Sequence, residues 1–317
     1  MRPPASRGAR PAYGGRVRRT LLGYAVVATV LVVAGVVGVR LVLGPPSDPA
    51  PAAVAGEPAP PVTDDPLARM AVAGDTGTGD AAERATVAEM VAQSERGGGG
   101  YDAVLLLGDL VYEDGDAERV DDAVTEPFAP LLDDGVPLLP VLGNHDYESG
   151  EQAQIMAALG RDATWYEQRV GPARVLVLDT ERTGDPDQTA WLEQRLAAPQ
   201  PAGTWTVVAL HRPPYSAGQH GSDPRVRADW VPLFDEYDVP LVLAGHDHDY
   251  QRSDVLDGVV YVVSGAGAKL RPTGQADFTA VSSSTLHYVD LLVYADRLVG
   301  RAIDQSGALV DVFTVPR

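Results

Sequence analysis

Residues 240–248 read Pro-Leu-Val-Leu-Ala-Gly-His-Asp-His. A short apolar run that stops abruptly in imidazole and carboxylate side chains has the pattern of a buried strand with functional groups at its carboxyl end. The pattern recurs towards the N-terminus. Arg69–Ala73 stops at Gly74-Asp75, Ala103–Leu107 at Gly108-Asp109, Pro137–Leu142 at Gly143-Asn144-His145-Asp146, and Thr206–Leu210 at His211. In open α/β sheets ligands bind outside the carboxyl ends of strands. One sheet edge could therefore gather residues that lie 34, 35, 67 and 35 positions apart along the chain. A Gly ahead of a ligand predicts a sharp backbone turn at that point.

Outward from these runs, further strands are expected at Arg174–Leu178 and Val259–Val263. Helices are expected at Asp80–Ser94, Ala117–Leu132, Pro186–Ala197 and Arg225–Tyr237. The last strands, Leu286–Tyr294, Arg297–Ile303 and Leu309–Thr314, follow one another without helices. An α/β beginning with a β-rich finish predicts an α/β fold, α+β in part, built on two sheets. Residues 67–317 are enough to bury a single large core.

The formal charge is −19 over 317 residues. Residues 1–40 hold seven Arg and no acid, which leaves 18 basic against 44 acidic side chains, a net −26, for the rest. So negative a surface excludes a nucleic-acid binder that works through a broad basic face, but it allows a site made positive by bound metal. There is no cysteine, so disulfides, thiolate ligands and thiol nucleophiles are excluded.

Leu21–Val39 is an unbroken run of apolar or small residues. As a helix it would be about 28 Å long, close to the hydrocarbon thickness of a bilayer. Residues 1–20 form a basic segment, and Arg16, Arg18 and Arg19 just before the run place it in the cytoplasm by the positive-inside rule. A single-pass transmembrane signal anchor is expected at 21–43, with the rest of the chain outside the membrane; cleavage near Ala53-Val54-Ala55 would instead release it as a secreted protein. The Pro/Ala-rich stretch 44–66 predicts an extended linker.

Four of the six His, at 145, 211, 246 and 248, lie in the strand-end clusters. Oxygen donors mixed with imidazole nitrogen suit Fe, Mn or Zn better than Mg or Ca. Two such cations roughly 3.5–4 Å apart can clamp a phosphate and activate water near neutral pH.

Taken in order, Gly74-Asp75-Thr76-Gly77, Gly108-Asp109-Leu110-Val111-Tyr112, Gly143-Asn144-His145-Asp146, His211 and Gly245-His246-Asp247-His248 resemble the five motif blocks of the purple acid phosphatases, a branch of the calcineurin-like metallophosphoesterase superfamily. The resemblance covers about residues 68–265. It implies a four-layer αββα sandwich of two mixed β-sheets, two metal ions and hydrolysis of a small phosphoester. By the same resemblance Asp75, Tyr112 and His248 would hold the first metal, with Asp109 bridging. Asn144, His211 and His246 would hold the second. Where the wider superfamily has Asp-x-His, this chain has Gly77, and Tyr112 supplies the replacement seen in the purple acid branch. A phenolate favours Fe(III) at the first position, and Fe, Zn or Mn would fill the second.

The resemblance makes His145 the catalytic residue, stabilising phosphoryl oxygens or protonating the leaving alkoxide. Asn144 would also touch substrate. His220 would bind phosphate or stand as an exposed loop residue. Asp146 would orient His145 or form a salt bridge, and His287 would be structural. The implied activity is that of an acid phosphatase-like phosphomonoesterase. The alternatives are a phosphodiesterase or nucleotidase of the same fold, and a non-catalytic surface-binding protein. Oligomeric state leaves no mark in the sequence.

Overall fold

Side-chain alternation along the strands determines how the layers stack. The computed structural model describes residues 55–317. Its strands are β1 (Ala68–Ala73), β2 (Ala103–Leu107), β3 (Leu138–Val141), β4 (Tyr166–Val170), β5 (Ala173–Val177), β6 (Trp205–Ala209) and β7 (Leu241–Ala244). They continue as β8 (Tyr250–Ser253), β9 (Val260–Ser264), β10 (Thr279–Ser283), β11 (His287–Val293), β12 (Arg297–Asp304) and β13 (Leu309–Pro316). The α-helices are α1 (Ala81–Glu95), α2 (Glu126–Leu132), α3 (Gln152–Ala158), α4 (Pro186–Ala197), α5 (Pro224–Asp229) and α6 (Val231–Glu236). One sheet runs β13-β12-β11-β1-β2-β3 and the other β10-β8-β9-β7-β6-β5-β4. Both are mixed: the first is parallel across β1-β2-β3 and antiparallel across β13-β12-β11-β1, and the second has a parallel centre, β9-β7-β6-β5, with antiparallel flanks.

Met70, Val72, Leu105 and Leu107 face inward from the first sheet and meet Val175, Val207, Leu241 and Leu243 from the second. Their chain neighbours face outward. Ala71, Val104 and Leu106 pack on Val87, Met90 and Phe128, while Leu176, Val208 and Val242 pack on Leu192, Trp230 and Phe234. Each fully buried Val, Leu or Phe contributes roughly 1.5–3 kcal/mol. The result is helix, sheet, sheet, helix: the αββα sandwich.

Strand register also brings the ligand candidates level. Ala73 lies opposite Leu106, and Asp75 N–H donates to Gly108 O at 2.9 Å. Leu107 lies opposite Val141. Ala209 lies opposite Leu243, and Gly245 N–H donates to His211 O at 3.0 Å.

The helix expected over Ala117–Leu132 is broken into a 3₁₀ turn at Ala117–Arg119, a π-helical turn at Asp121–Thr125 and then α2. Pro127 lacks an N–H, and its ring crowds the carbonyl four residues back, so the ladder widens ahead of it. Pro232 likewise divides Arg225–Tyr237 into α5 and α6 at Trp230. Strands β4, β8 and β10, and helix α3, have no counterpart in the sequence reading.

The stretch expected as linker, 44–66, is described from residue 55, and there it lies on the domain. Pro58 bridges Ala308, Gly56 N–H donates to Leu309 O at 2.7 Å, and Arg301 Nη1 donates to Pro60 O at 2.6 Å. Proline suits such an edge, where its missing N–H leaves no ladder bond unmade. The basic segment 1–20 and the apolar run at 21–43 lie outside the described residues. Among the described residues no helix is long and apolar enough to cross a membrane.

Candidate metal centre

The loops after β1, β2, β3, β6 and β7 meet at one end of the sandwich. Glycines make the meeting possible, chiefly by close approach. A Cβ on Gly143 would stand 2.2 Å from Asp109 Oδ1, and one on Gly245 would stand 2.6 Å from Leu107 O and 2.7 Å from Asp75 Oδ2. The turn expected at these glycines is largely made by the ligand candidates that follow them. Asp75, Asp109 and His246 adopt φ of 57°, 54° and 72°, in the left-handed region that costs a non-glycine residue energy.

Two sets of donor atoms result, and they share one carboxylate. In the first, the Tyr112 hydroxyl lies 2.9 Å from Asp109 Oδ2, 3.2 Å from Asp75 Oδ1 and 3.2 Å from His248 Nε2. His248 Nε2 is 3.3 Å from Asp75 Oδ1. In the second, His211 Nε2 lies 3.4 Å from Asp109 Oδ1, 3.2 Å from Asn144 Oδ1 and 3.2 Å from His246 Nδ1. Asp75, Asp109, Tyr112, His211, His246 and His248 are all buried, and Asn144 is half-buried. Asp109 gives one oxygen to each set.

These sets are poorly satisfied by hydrogen bonding alone. His211 Nδ1 faces Leu107 O at 2.8 Å, which places the ring proton there and leaves Nε2 a lone pair. That lone pair meets Asp109 Oδ1 and Asn144 Oδ1, which are themselves acceptors. Around Tyr112, one hydroxyl proton serves two carboxylates and an imidazole. Donors roughly 2.0–2.2 Å from a common ion stand about 2.8–3.6 Å apart in tetrahedral or octahedral geometry. The observed spacings fall in that range, so the residues fit two cations.

Electrostatics point the same way. Burial, with the Asp109 charge added, holds the Asp75 carboxyl well above its usual range. Burial would raise Asp109 too, but His211 and His145 outweigh it and bring that carboxyl below its usual range. The Tyr112 phenol is pushed up by burial and then by Asp75 and Asp109. His248 is pushed down to about 4 by burial and by Arg271, and His246 falls further, through burial, His211 and Arg212. Neutral imidazoles beside uncompensated carboxylates are what a cation requires of its ligands.

His145 is half-buried at the edge of the first set, its ring 4.8 Å from that of Tyr112. Its N–H donates to Asp109 Oδ1 at 3.0 Å, and its Nδ1 is held by the Glu113 carbonyl and lies 3.3 Å from Glu148. Asp146 neither orients that ring nor forms a salt bridge. Its carboxylate accepts the backbone N–H groups of Leu110, Val111 and Gly143 at 2.8–2.9 Å, tying the Asp109 loop to the Asn144 loop. Burial and Asp109 push it up to about 8.

His220 is exposed, yet its ring stacks 4.4 Å from that of His246, and Arg271 Nη1 donates to its Nε2 at 2.8 Å. Asp247, between His246 and His248, accepts the His220 N–H at 2.7 Å and so fixes that loop to the centre. His287 is buried between Ser264 Oγ and Thr285 O and belongs to neither donor set.

Three cations at the rim escaped the sequence reading. Arg212 Nη1 lies 3.3 Å from His246 Nε2, Lys269 Nζ lies 3.6 Å above the Tyr112 ring, and Arg271 N–H donates to His248 O at 2.8 Å. Arg212 follows a ligand candidate directly, and Lys269 is the chain's single lysine. Those were the only signals the sequence offered for them.

The model of the calcineurin-like phosphoesterase family matches residues 68–250. A cAMP/cGMP dual specificity phosphodiesterase of Mycobacterium tuberculosis is 30% identical over 253 residues, covering 75% of this chain and 70% of that protein. Human tartrate-resistant acid phosphatase type 5 is 29% identical over 208 residues, covering 55% of this chain and 63% of that one. In two further curated relatives the matched part spans 35% and 63% of their length. Among solved structures, a purple acid phosphatase from yellow lupin seeds superposes with a TM-score of 0.70 at 22% identity, over 79% of this chain and 54% of that one. That likeness establishes the fold.

Proposed function

Because this chain belongs to the calcineurin-like phosphoesterase family, we propose that it hydrolyses small phosphomonoesters at a two-cation centre held by Asp75, Asp109, Tyr112, Asn144, His211, His246 and His248. The observation that carries this reading is the division of Asp109, with one oxygen in each donor set. When bound, the two cations would supply Lewis-acid charge for the phosphoryl oxygens and acidify a water near neutral pH. The phenol of Tyr112 supports Fe(III) at the first position, leaving Fe, Zn or Mn for the second.

The chain's own residues have distinct tasks. The Asn144 carboxamide offers Oδ1 to the second set and its N–H to a phosphoryl oxygen. With Nδ1–H engaged by the Glu113 carbonyl, the His145 ring in its imidazolium form presents Nε2–H as the edge that hands a proton to the leaving oxygen as the ester P–O bond breaks. Arg212, Lys269, Arg271 and His220 surround the centre with cationic or imidazole groups. A monoester dianion gains more from that rim than a diester monoanion does.

A second reading, phosphodiesterase, is favoured by the 30% identical relative that covers 75% of this chain. Rates on p-nitrophenyl phosphate and its bis ester separate the two. The monoester is expected to be cleaved at least about tenfold faster in kcat/KM, a difference of about 1.4 kcal/mol in transition-state binding; the reverse preference would transfer the site to diesters. The Arg cluster at 16, 18 and 19 ahead of the apolar run supports placing this activity outside the cell membrane.

A further inference from the structure

A cavity of about 280 Å³ opens beside the second donor set, lined by Thr180, Glu181, Thr183, Arg212, Asp223 and Arg225, with Pro224. We propose that it receives the leaving group of the substrate, and that this group is a neutral, hydroxyl-rich one: a monosaccharide or a comparable polyol. The proposal rests on the phosphoesterase reading above for what the neighbouring centre does.

Arg212 joins the cavity to the centre. Its Nη1 lies 3.3 Å from His246 Nε2, its Nε and Nη2 pair with the Glu181 carboxylate, and its backbone N–H donates to Thr180 Oγ1 at 3.2 Å. The guanidinium is thus held between the second donor set and the cavity wall. A phosphoryl group at the centre would carry its ester oxygen towards that wall.

The lining sets the ligand class. Two guanidiniums face two carboxylates, so the cavity has no net charge to reward an anionic or cationic leaving group. Hydrogen-bonding capacity remains: Asp223 uses Oδ1 on the N–H groups of Arg225 and Val226, leaving Oδ2. Thr183 donates to Thr180 O at 2.6 Å and keeps its lone pairs. Acceptors and donors of both kinds suit hydroxyls, which both give and take. No aromatic side chain lines the cavity, so a nucleobase or aryl ring would find no stacking surface. The volume lies just below the range of small-molecule sites, roughly 300–1,000 Å³, and leaves room for no more than a single sugar ring.

Binding tests this without turnover. The zinc-reconstituted protein would be titrated calorimetrically with methylphosphonate, with the non-hydrolysable methylene phosphonate analogue of glucose 6-phosphate, and with the matching adenosine phosphonate. The sugar analogue is expected to bind about tenfold or more tighter than the head group alone, as for a site that hydrogen-bonds hydroxyls, and tighter than the adenosine compound. Thr183→Leu, which fills the cavity, should abolish most of that gain. Arg225→Ala, at an exposed position, should reduce it severalfold and decides the matter if Thr183→Leu does not fold. Equal affinity for head group and sugar analogue, a gain unmoved by both substitutions, or tighter binding of the adenosine compound would overturn the assignment. A preserved sugar gain without hydrolysis of any phosphoester would uphold the cavity and fault the hydrolase reading; hydrolysis without the gain would do the reverse.

Discussion

Asp109→Asn tests the two-cation centre through the stability that bound metal adds. In the wild type, an ion at about 100 times its Kd adds about 2.7 kcal/mol, so two ions add roughly 5.5 kcal/mol. For a domain of this size each kcal/mol moves Tm by about 2–4 °C, so loading should raise Tm by roughly 10–20 °C. The variant's carboxamide can offer oxygen to one donor set only and turns an NH2 towards the other. At most one ion should stay, and the increment should fall by half or more. Without metal two effects oppose each other. Ligand atoms of Asp75, Asp109 and His211 lie within 4.8 Å of one another, where two carboxylates repel by about 3.5 kcal/mol at an effective dielectric of 20. That figure is a ceiling, because Asp75, with its carboxyl pushed well up, can hold a proton instead. Against that repulsion stands the field of His211 and His145, which brings the Asp109 carboxyl below its usual range, so the metal-free variant should melt somewhat below the metal-free wild type, and the metal increment within each protein carries the test. Scanning calorimetry with chelator and with added metal, together with elemental analysis, reads both quantities. Equal metal increments in the two proteins would refute the shared-carboxylate assignment.

Tyr112→Phe removes the hydroxyl at the centre of the first donor set; the iron-loaded wild type should absorb visible light through phenolate-to-iron charge transfer, and the variant should not. A colourless, fully active wild type without iron would remove Tyr112 from the ligand set. Glu83 is buried on α1 with one oxygen accepting the Gly79 N–H at 2.6 Å and the other unpartnered, and burial raises it to about 9. The folded protein thus holds a proton that the unfolded chain releases near its usual 4.5. Stability from this group is complete below pH 4.5 and lost as pH rises to about 9. Glu83→Gln should leave stability near pH 4.5 unchanged and raise it at pH 8 by something on the order of 2–5 kcal/mol, as urea unfolding at both pH values would measure.

What could be read from the sequence follows from where each residue's partners lie. Strands β2, β5, β6 and β7 are buried on both faces, so they read as continuous apolar runs. Strand β4, Tyr-Glu-Gln-Arg-Val, is an edge strand with mostly half-buried positions, and β10 is the other edge; neither carries a pattern that departs from loop. The donor residues were legible because they stand just beyond apolar runs whose ends the register aligns. Arg212, Lys269 and Arg271 reach the rim on loops whose paths tertiary packing decides. The role of Asp146 was illegible for a different reason: its three partners are backbone N–H groups, which leave no trace in residue identity. The glycines show how far such a reading goes. Their position ahead of each ligand was visible, but it suggested a turn, whereas the space they leave matters more. With a Cβ at Gly143 only 2.2 Å from Asp109 Oδ1, the β3 loop would have to withdraw, carrying Asn144 away from His211 Nε2. Donor spacings near 3.2 Å therefore depend on side chains that are absent, and a substitution there should act on metal affinity before it acts on the fold.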